Sequence, residues 1–260
     1  PRFRINTGNG IDPCTPGANS GDPILPLVAP GFGNASIQLG EAQTAGAQVE
    51  QLTYMFTPTA FDTDFVYSFA FVFFDAASGH APNELPFAEF LILDPNGDTV
   101  PSSYMHYAAS SLIPGIYQAK STCSGGTFSW YKPWTTVCMN LAAYVGQTLS
   151  VVITNGDCVQ GGHYIHSYWD FSCGNNSNNV SFCTGQLNTL CAPASGPGTP
   201  YTYQWYHNGN VVSSGTSQCL PITPQHSDTF SVQMANPTSG CNFTLNYVLQ
   251  DTCLSGVEEN

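Results

Sequence analysis

The stretch DFVYSFAFVFFD, residues 64–75, governs how the rest of the chain is read. Side chains of an extended strand point alternately to opposite faces. Here Phe65, Tyr67, Phe69, Phe71 and Phe73 share one face, and Val66, Ala70, Val72 and Phe74 share the other. Both faces are apolar, so such a strand has to be covered twice. The expectation is a central strand with a core on one side and a loop, a second module or a partner protein on the other.

The runs around it have the same character. VEQLTYMFTP, PFAEFLILD, QTLSVVITNGD and HYIHSYWDFS are short and bounded by Gly, Pro, Asn or Asp, the pattern of an all-β chain. LILDPNGDTV reads as strand, turn, strand about Asn96-Gly97. No stretch sustains a helical period. The polar run GNNSNN, residues 174–179, lacks any core residue and reads as a linker. This gives a jelly-roll-like β-sandwich over 1–173, a candidate binding module, and a second sandwich over 180–254. In the second unit Cys191, Trp205 and Cys241 stand in the Cys…Trp…Cys order of an immunoglobulin-like domain. Phe230 occupies the region where antibody domains carry their tyrosine corner.

Composition narrows the function. The chain has 260 residues, 42% of them hydrophobic, with 25 Gly and 19 Pro. Four basic residues (Arg2, Arg4, Lys120 and Lys132) face seventeen acids, for a net charge of −13. Nucleic acid is excluded as a partner, because binding it requires cations that displace phosphate counterions. Docking on an anionic membrane is disfavoured for the same reason, and no apolar run reaches the ~20 residues that span a bilayer. Most carboxylates must face water or bind cations. Ten cysteines, an even number with no C-x-x-C among them, indicate disulfides and an oxidising compartment rather than a zinc ribbon or a thioredoxin-like site. Spacing favours Cys123 with Cys138 and Cys158 with Cys173, each closing a hairpin-sized loop. The immunoglobulin order would pair Cys191 with Cys241.

FCTGQLNTLCAP, YTYQWYHNG, SQCLPIT, DTFSVQM and SGC together resemble the Ig-like or PKD-like modules of secreted Bacteroidota surface proteins. GHAPNELPFAEFLILDPNGDTVP, YKPWTTVCMNL and GDCVQGGHYIHSYWDFSC resemble a β-sandwich module found beside them in gliding and adhesion proteins. LSGVEEN, the last residues, resembles the linker before a type IX secretion sorting domain, with 255–260 as the tail leading to that removed domain. The resemblance implies export by the type IX machinery, display on the outer cell surface and a role in adhesion or recognition. It also implies Cys183 with Cys241 and Cys191 with Cys219, which leaves Cys14 and Cys253 to pair across the domains.

Chemistry has several candidates. NGDCVQGGHYIHSYWDFSC, residues 155–173, packs acids, histidines and cysteines together. On a regular strand His163 and His166 point apart, which excludes a joint zinc site; Ile165, Trp169 and Phe171 read as core. Between Asp62 and Asp98 lie seven acids and no Lys or Arg. Repulsion there would be relieved by a structural calcium, with Asp75, Glu84, Asp157 and Asp170 as first choices of ligand. Glu84 and Glu89 would be the pair of a glycoside hydrolase, but nothing fixes their spacing. No G-x-S-x-G or H-E-x-x-H occurs, so an enzyme is not expected. Asn-x-Ser/Thr triplets and Asp98-Thr-Val fit glycosylation patterns only loosely. Binding has better material. Trp130, Tyr131 and Trp134 are expected in a loop, beside Tyr104, His106 and Tyr107, and flat rings suit the C–H faces of sugars. The expectation is a carbohydrate-binding surface protein whose partners are surface glycans or a neighbouring surface protein. The alternatives are a spacer or surface-layer subunit, and an accessory module of a polysaccharide hydrolase.

Overall fold

The computed structural model describes residues 2–8, 10–18, 22–42, 46–60, 63–74, 79–120, 123, 128–172, 176–193, 201–237 and 241–253. In chain order the strands are β1 (Phe3–Thr7), β2 (Gly17–Ala18), β3 (Ala35–Leu39), β4 (Val49–Phe56), β5 (Asp64–Phe73), β6 (Phe87–Leu93), β7 (Met105–Ala108), β8 (Tyr117–Lys120), β9 (Phe128–Asn140), β10 (Leu149–Gly156) and β11 (Ile165–Ser172). They continue with β12 (Asn176–Phe182), β13 (Asn188–Cys191), β14 (Thr202–His207), β15 (Asn210–Val211), β16 (Cys219–Ile222), β17 (Phe230–Ala235) and β18 (Asn242–Asp251). The fold is all-β. Among the described residues helix is confined to short 3-10 turns such as Pro82–Glu84 and Ala142–Tyr144.

A seven-stranded sheet, ordered β1-β3-β11-β5-β9-β8-β2, lies against a four-stranded sheet, β4-β10-β6-β7. Their facing side chains make one core: Phe65, Tyr67, Phe69, Phe71 and Phe73 of β5 and Trp169 of β11 meet Phe90 and Ile92 of β6 and Val151 and Ile153 of β10. The alternation read in β5 therefore sets the inner layer. Its neighbour β9 contains Pro133, which cannot donate to a ladder and is tolerated inside a sheet only at a bulge. The bulge is there: Phe69 pairs with Thr135, and the next partners are Phe71 and Lys132. It adds a residue to β9, so Trp134 leaves the face carrying Trp130 and joins Tyr131 on the opposite side.

That opposite side of the large sheet is covered twice over, as its apolar character requires. Near one end the N-terminal segment lies across it, with Cys14, Leu25, Leu27 and Ala42 against Ala70, Val72, Tyr131 and Tyr168. Toward the other end Val66 and Cys138 enter a core with Leu190, Tyr201, Trp205, Val232 and Leu245. Those belong to the remaining strands: a five-stranded sheet β12-β18-β17-β14-β15 and the pair β13-β16. Trp205 is fully buried there, donating to the Ser217 carbonyl at 2.9 Å, and Tyr247 donates to the Cys191 carbonyl at 2.9 Å.

Two expectations on connectivity are corrected. The run 174–179 is not a linker throughout, because β12 begins at Asn176 and pairs in parallel with β18 from Asn176↔Leu245 to Phe182↔Asp251. β12 is an edge strand, and its C-terminal half is not polar throughout: Val180 packs against the second core and Phe182 is buried. The disulfides also differ. Cys14 bonds Cys123, Cys138 bonds Cys241, and Cys183 bonds Cys253; only the Cys191–Cys219 pairing comes out as the resemblance implied. The spacing rule failed for Cys123 and Cys138 because each lies under a different cover of the same sheet face, so each bonds the segment that covers it. Cys158 is a free, buried thiol, so the expected bridge to Cys173 is not formed; Cys173 lies outside the described residues. Four disulfides mark a chain that matures in an oxidising, extracellular or secretory setting. No helix among the described residues is long and apolar enough to cross a membrane.

Candidate functional site

The exposed aromatic site lies on the outer face of the four-stranded sheet, at its β7 edge. In β6, Ala88, Phe90 and Ile92 point inward, so Phe87, Glu89 and Leu91 point out. Glu89 pairs across the ladder with His106 of β7. The Glu89 carboxylate accepts from the Tyr104 hydroxyl at 3.1 Å and lies 3.2 Å from His106 Nδ1. His106 stacks on Phe87 with centroids 5.3 Å apart, and Tyr104 lies nearly parallel to His106 at 6.5 Å. Three rings thus form a row with one carboxylate fastened to two of them. Tyr104 is 60% exposed.

The other candidate aromatic residues are committed elsewhere. Trp130, Tyr131 and Trp134 lie in strand β9 rather than in a loop. Trp130 packs on the main core, Tyr131 is buried and donates to the Pro23 carbonyl at 2.8 Å, and Trp134 Nε1 donates to the Pro26 carbonyl at 2.7 Å. Tyr107 packs against Phe69 and Phe71. Of the six rings expected to bind ligand, Tyr104 and His106 present themselves outward.

The candidate calcium ligands do not converge. Asp157 is engaged by the Arg2 guanidinium at 2.6 Å and accepts from the Ile165 N–H at 3.3 Å. Arg2 also pairs with Glu50, so the N-terminus is clamped by two acids. Glu84 caps its own 3-10 turn, accepting from the Ala81 N–H and from Gln160 Nε2, both at 2.9 Å. Those two bonds hold its carboxyl below the ordinary range. Asp170 sits on β11 opposite Ser68, 8% exposed, and one of its oxygens has no partner. Burial pushes its pKa up to about 8, opposed only by the Phe171 N–H. Asp75 lies outside the described residues. Glu84 and Glu89 likewise serve different structures, one a turn and the other the ring row.

Two further clusters form around histidines. His166 turns under the N-terminal segment, its Nε2 2.7 Å from Asp12, and the Tyr168 hydroxyl donates to the same Asp12 oxygen at 2.5 Å. Burial acts to raise the Asp12 carboxyl, but attraction to His166 and the bonds from His166, Tyr168 and the Cys14 N–H together hold it below its ordinary value. A pocket of about 400 Å³ opens beside these residues, lined also by Arg4, Glu41 and the Cys14–Cys123 bridge. Asp12 was not legible as a partner because 154 residues separate it from His166. His163 lies in the loop before β11, with His80 and Cys158; the potential ligand atoms of the three are all within 4.8 Å of one another. The sequence signal for this second cluster was Cys158-Val-Gln-Gly-Gly-His163, which an even cysteine count assigns instead to a disulfide.

No protein-family profile matches the chain, and no curated protein matches it significantly. Among solved structures, dimeric latent PorU from Porphyromonas gingivalis aligns over 92% of this chain and 20% of its own, with 10% identity and a TM-score of 0.25. This chain therefore spans about a fifth of that protein, and likeness at this level carries no argument.

Proposed function

We propose that the protein is an extracellular recognition module that binds carbohydrate through the Phe87–His106–Tyr104 ring row on β6 and β7. One observation carries this reading: Tyr104 is mostly exposed, and its hydroxyl donates to Glu89, which sets the attitude of its ring. An ordered ring loses little freedom on binding, and its face takes a sugar's C–H face while Glu89 accepts from edge hydroxyls. The oxidised cysteines and acidic surface suit a secreted protein, and the segment LSGVEEN supports export by a type IX-like route to the outer cell surface.

The test is a glycan array followed by titration calorimetry on the best hits. Tyr104→Ala is expected to weaken binding about tenfold or more, the loss of roughly 1.5 kcal/mol of stacking. Glu89→Gln should weaken it less, and Trp134→Ala should act through folding rather than affinity. An array with no saturable signal would remove carbohydrate as the ligand class. Equal binding by Tyr104→Ala would move the site off this face.

A further inference from the structure

We propose that His80, Cys158 and His163 form a transition-metal site of the mixed imidazole–thiolate class, taking zinc or copper. The cluster is distinct from the ring row and does not depend on it. Two loops at one end of the sandwich build it. The first follows β5 and leads through Gly79-His80 into the turn Pro82–Glu84; the second joins β10 to β11. In the second loop Cys158 N–H donates to the His163 carbonyl at 3.2 Å and Gly161 N–H donates to the Cys158 carbonyl at 3.1 Å. Gly161 and Gly162 adopt φ of 70° and 109°, where side chains other than glycine are strained. That reversal brings residues 158 and 163 to the same point.

The two loops are fastened together. Val159 N–H donates to the Glu84 carbonyl at 3.1 Å, and Gln160 Nε2 donates to the Glu84 carboxylate at 2.9 Å. Glu84 is thereby a positioning residue for the loop that carries His80. The rings are also set by neighbours: Phe74 stacks on His163 with centroids 5.1 Å apart, and His80 meets His163 edge-on at 4.7 Å.

The chemistry of the donors distinguishes this cluster from ordinary packing. Cys158 is fully buried and unbridged in a chain whose other described cysteines are all oxidised. Both ring nitrogens of His80 are buried without a hydrogen-bond partner, an arrangement that costs free energy unless something accepts a lone pair. A metal ion does so, and it takes the thiolate at the same time. Thiolate and imidazole together select zinc or copper over calcium or magnesium, which prefer oxygen. Tetrahedral ligation at ordinary bond lengths needs donors about 3.3–3.6 Å apart, so side-chain movements of about an ångström close the present arrangement. Three protein donors leave a coordination position for water or a ligand.

Cobalt(II), as a spectroscopic substitute for zinc, and copper(II) are to be titrated into the intact, unreduced chain. One equivalent of cobalt should give thiolate-to-metal charge transfer and tetrahedral visible bands; strong thiolate charge transfer with copper instead would identify copper as the preferred ion. Cys158→Ser should abolish the charge transfer with either ion. His80→Gln, which alters a less buried residue, should keep the charge transfer while weakening affinity by roughly 100-fold or more, because a direct donor is lost and outer-shell partners alone are worth about 10–100-fold. Circular dichroism would verify that both variants fold. Three results would overturn the site: no stoichiometric binding, metal bands that survive Cys158→Ser in folded protein, or mass spectrometry showing Cys158 in a disulfide.

Discussion

The Cys138→Ser/Cys241→Ser variant is expected to lose about 4–5 kcal/mol of stability and to unfold in two calorimetric steps where the native chain unfolds in one. The bond joins β9 of the large sheet to the start of β18, across a sequence separation of 103 residues. Constraining so long a loop removes unfolded-state entropy worth about 4.7 kcal/mol in the chain-entropy account. The contact it secures includes Val66, Cys138 and Phe32 against the second core, the Tyr201 hydroxyl donating to the Thr136 carbonyl at 3.3 Å, and the Asn242 N–H donating to the Asp64 carboxylate at 3.4 Å. Without the covalent link those contacts compete with the independent unfolding of each sandwich. The control is Cys191→Ser/Cys219→Ser, which opens a separation of 28 residues within the second unit. It should cost about 1 kcal/mol less and should leave the first unit's transition in place. Equal losses in the two variants, or one unchanged transition after cutting Cys138–Cys241, would show that the two sandwiches are held together by packing alone.

That bond also shows where the sequence was readable. The two-faced apolar pattern of residues 64–73 correctly demanded a double cover, and the core face followed from alternation alone. What covers the second face was not legible, because the N-terminal segment and the β13–β18 strands reach it from opposite ends of the chain. Cysteine pairing depends on that same tertiary choice, so local spacing misassigned Cys123, Cys138 and Cys158. Trp130, Tyr131 and Trp134 are expected in a loop, whereas the structure places them in β9, where the bulge beside Pro133 sends Trp134 under the N-terminal cover. Tyr104 and His106 are legible as a local ring-rich segment, but their partner Glu89 lies on the neighbouring strand, where the sequence offers it only as a catalytic acid or one of an acidic run. The His80–Cys158–His163 cluster is a juxtaposition of two loops, and periodicity has nothing to say about loops that meet.

Asp170 gives the second large effect, with an unusual sign. An unfolded chain releases this proton near the ordinary value of 3.8, whereas the folded protein keeps it up to about 8. Between those values the unfolded state binds fewer protons than the folded state, so stability falls as pH rises, by up to about 1.4 kcal/mol per pH unit. Allowing for local relaxation, the accumulated penalty at pH 8 is roughly 3 kcal/mol. Asp170→Asn keeps the shape of the protonated acid and carries no charge. It should therefore stabilise the protein by about that amount at pH 8 and leave it nearly unchanged at pH 4, as read from urea unfolding at the two values. Asp12 provides the opposite case on the same sheet face. Its folded value is lowered, so its contribution is present above the ordinary carboxylate range and disappears on acidification through the folded value. Asp12→Asn should then destabilise at pH 7 and do little at the acid end. If Asp170→Asn left the slope between pH 5 and pH 8 as steep as in the parent, the carboxylate would have to be charged and paired at neutral pH, and a cation bound there would become the first explanation to pursue.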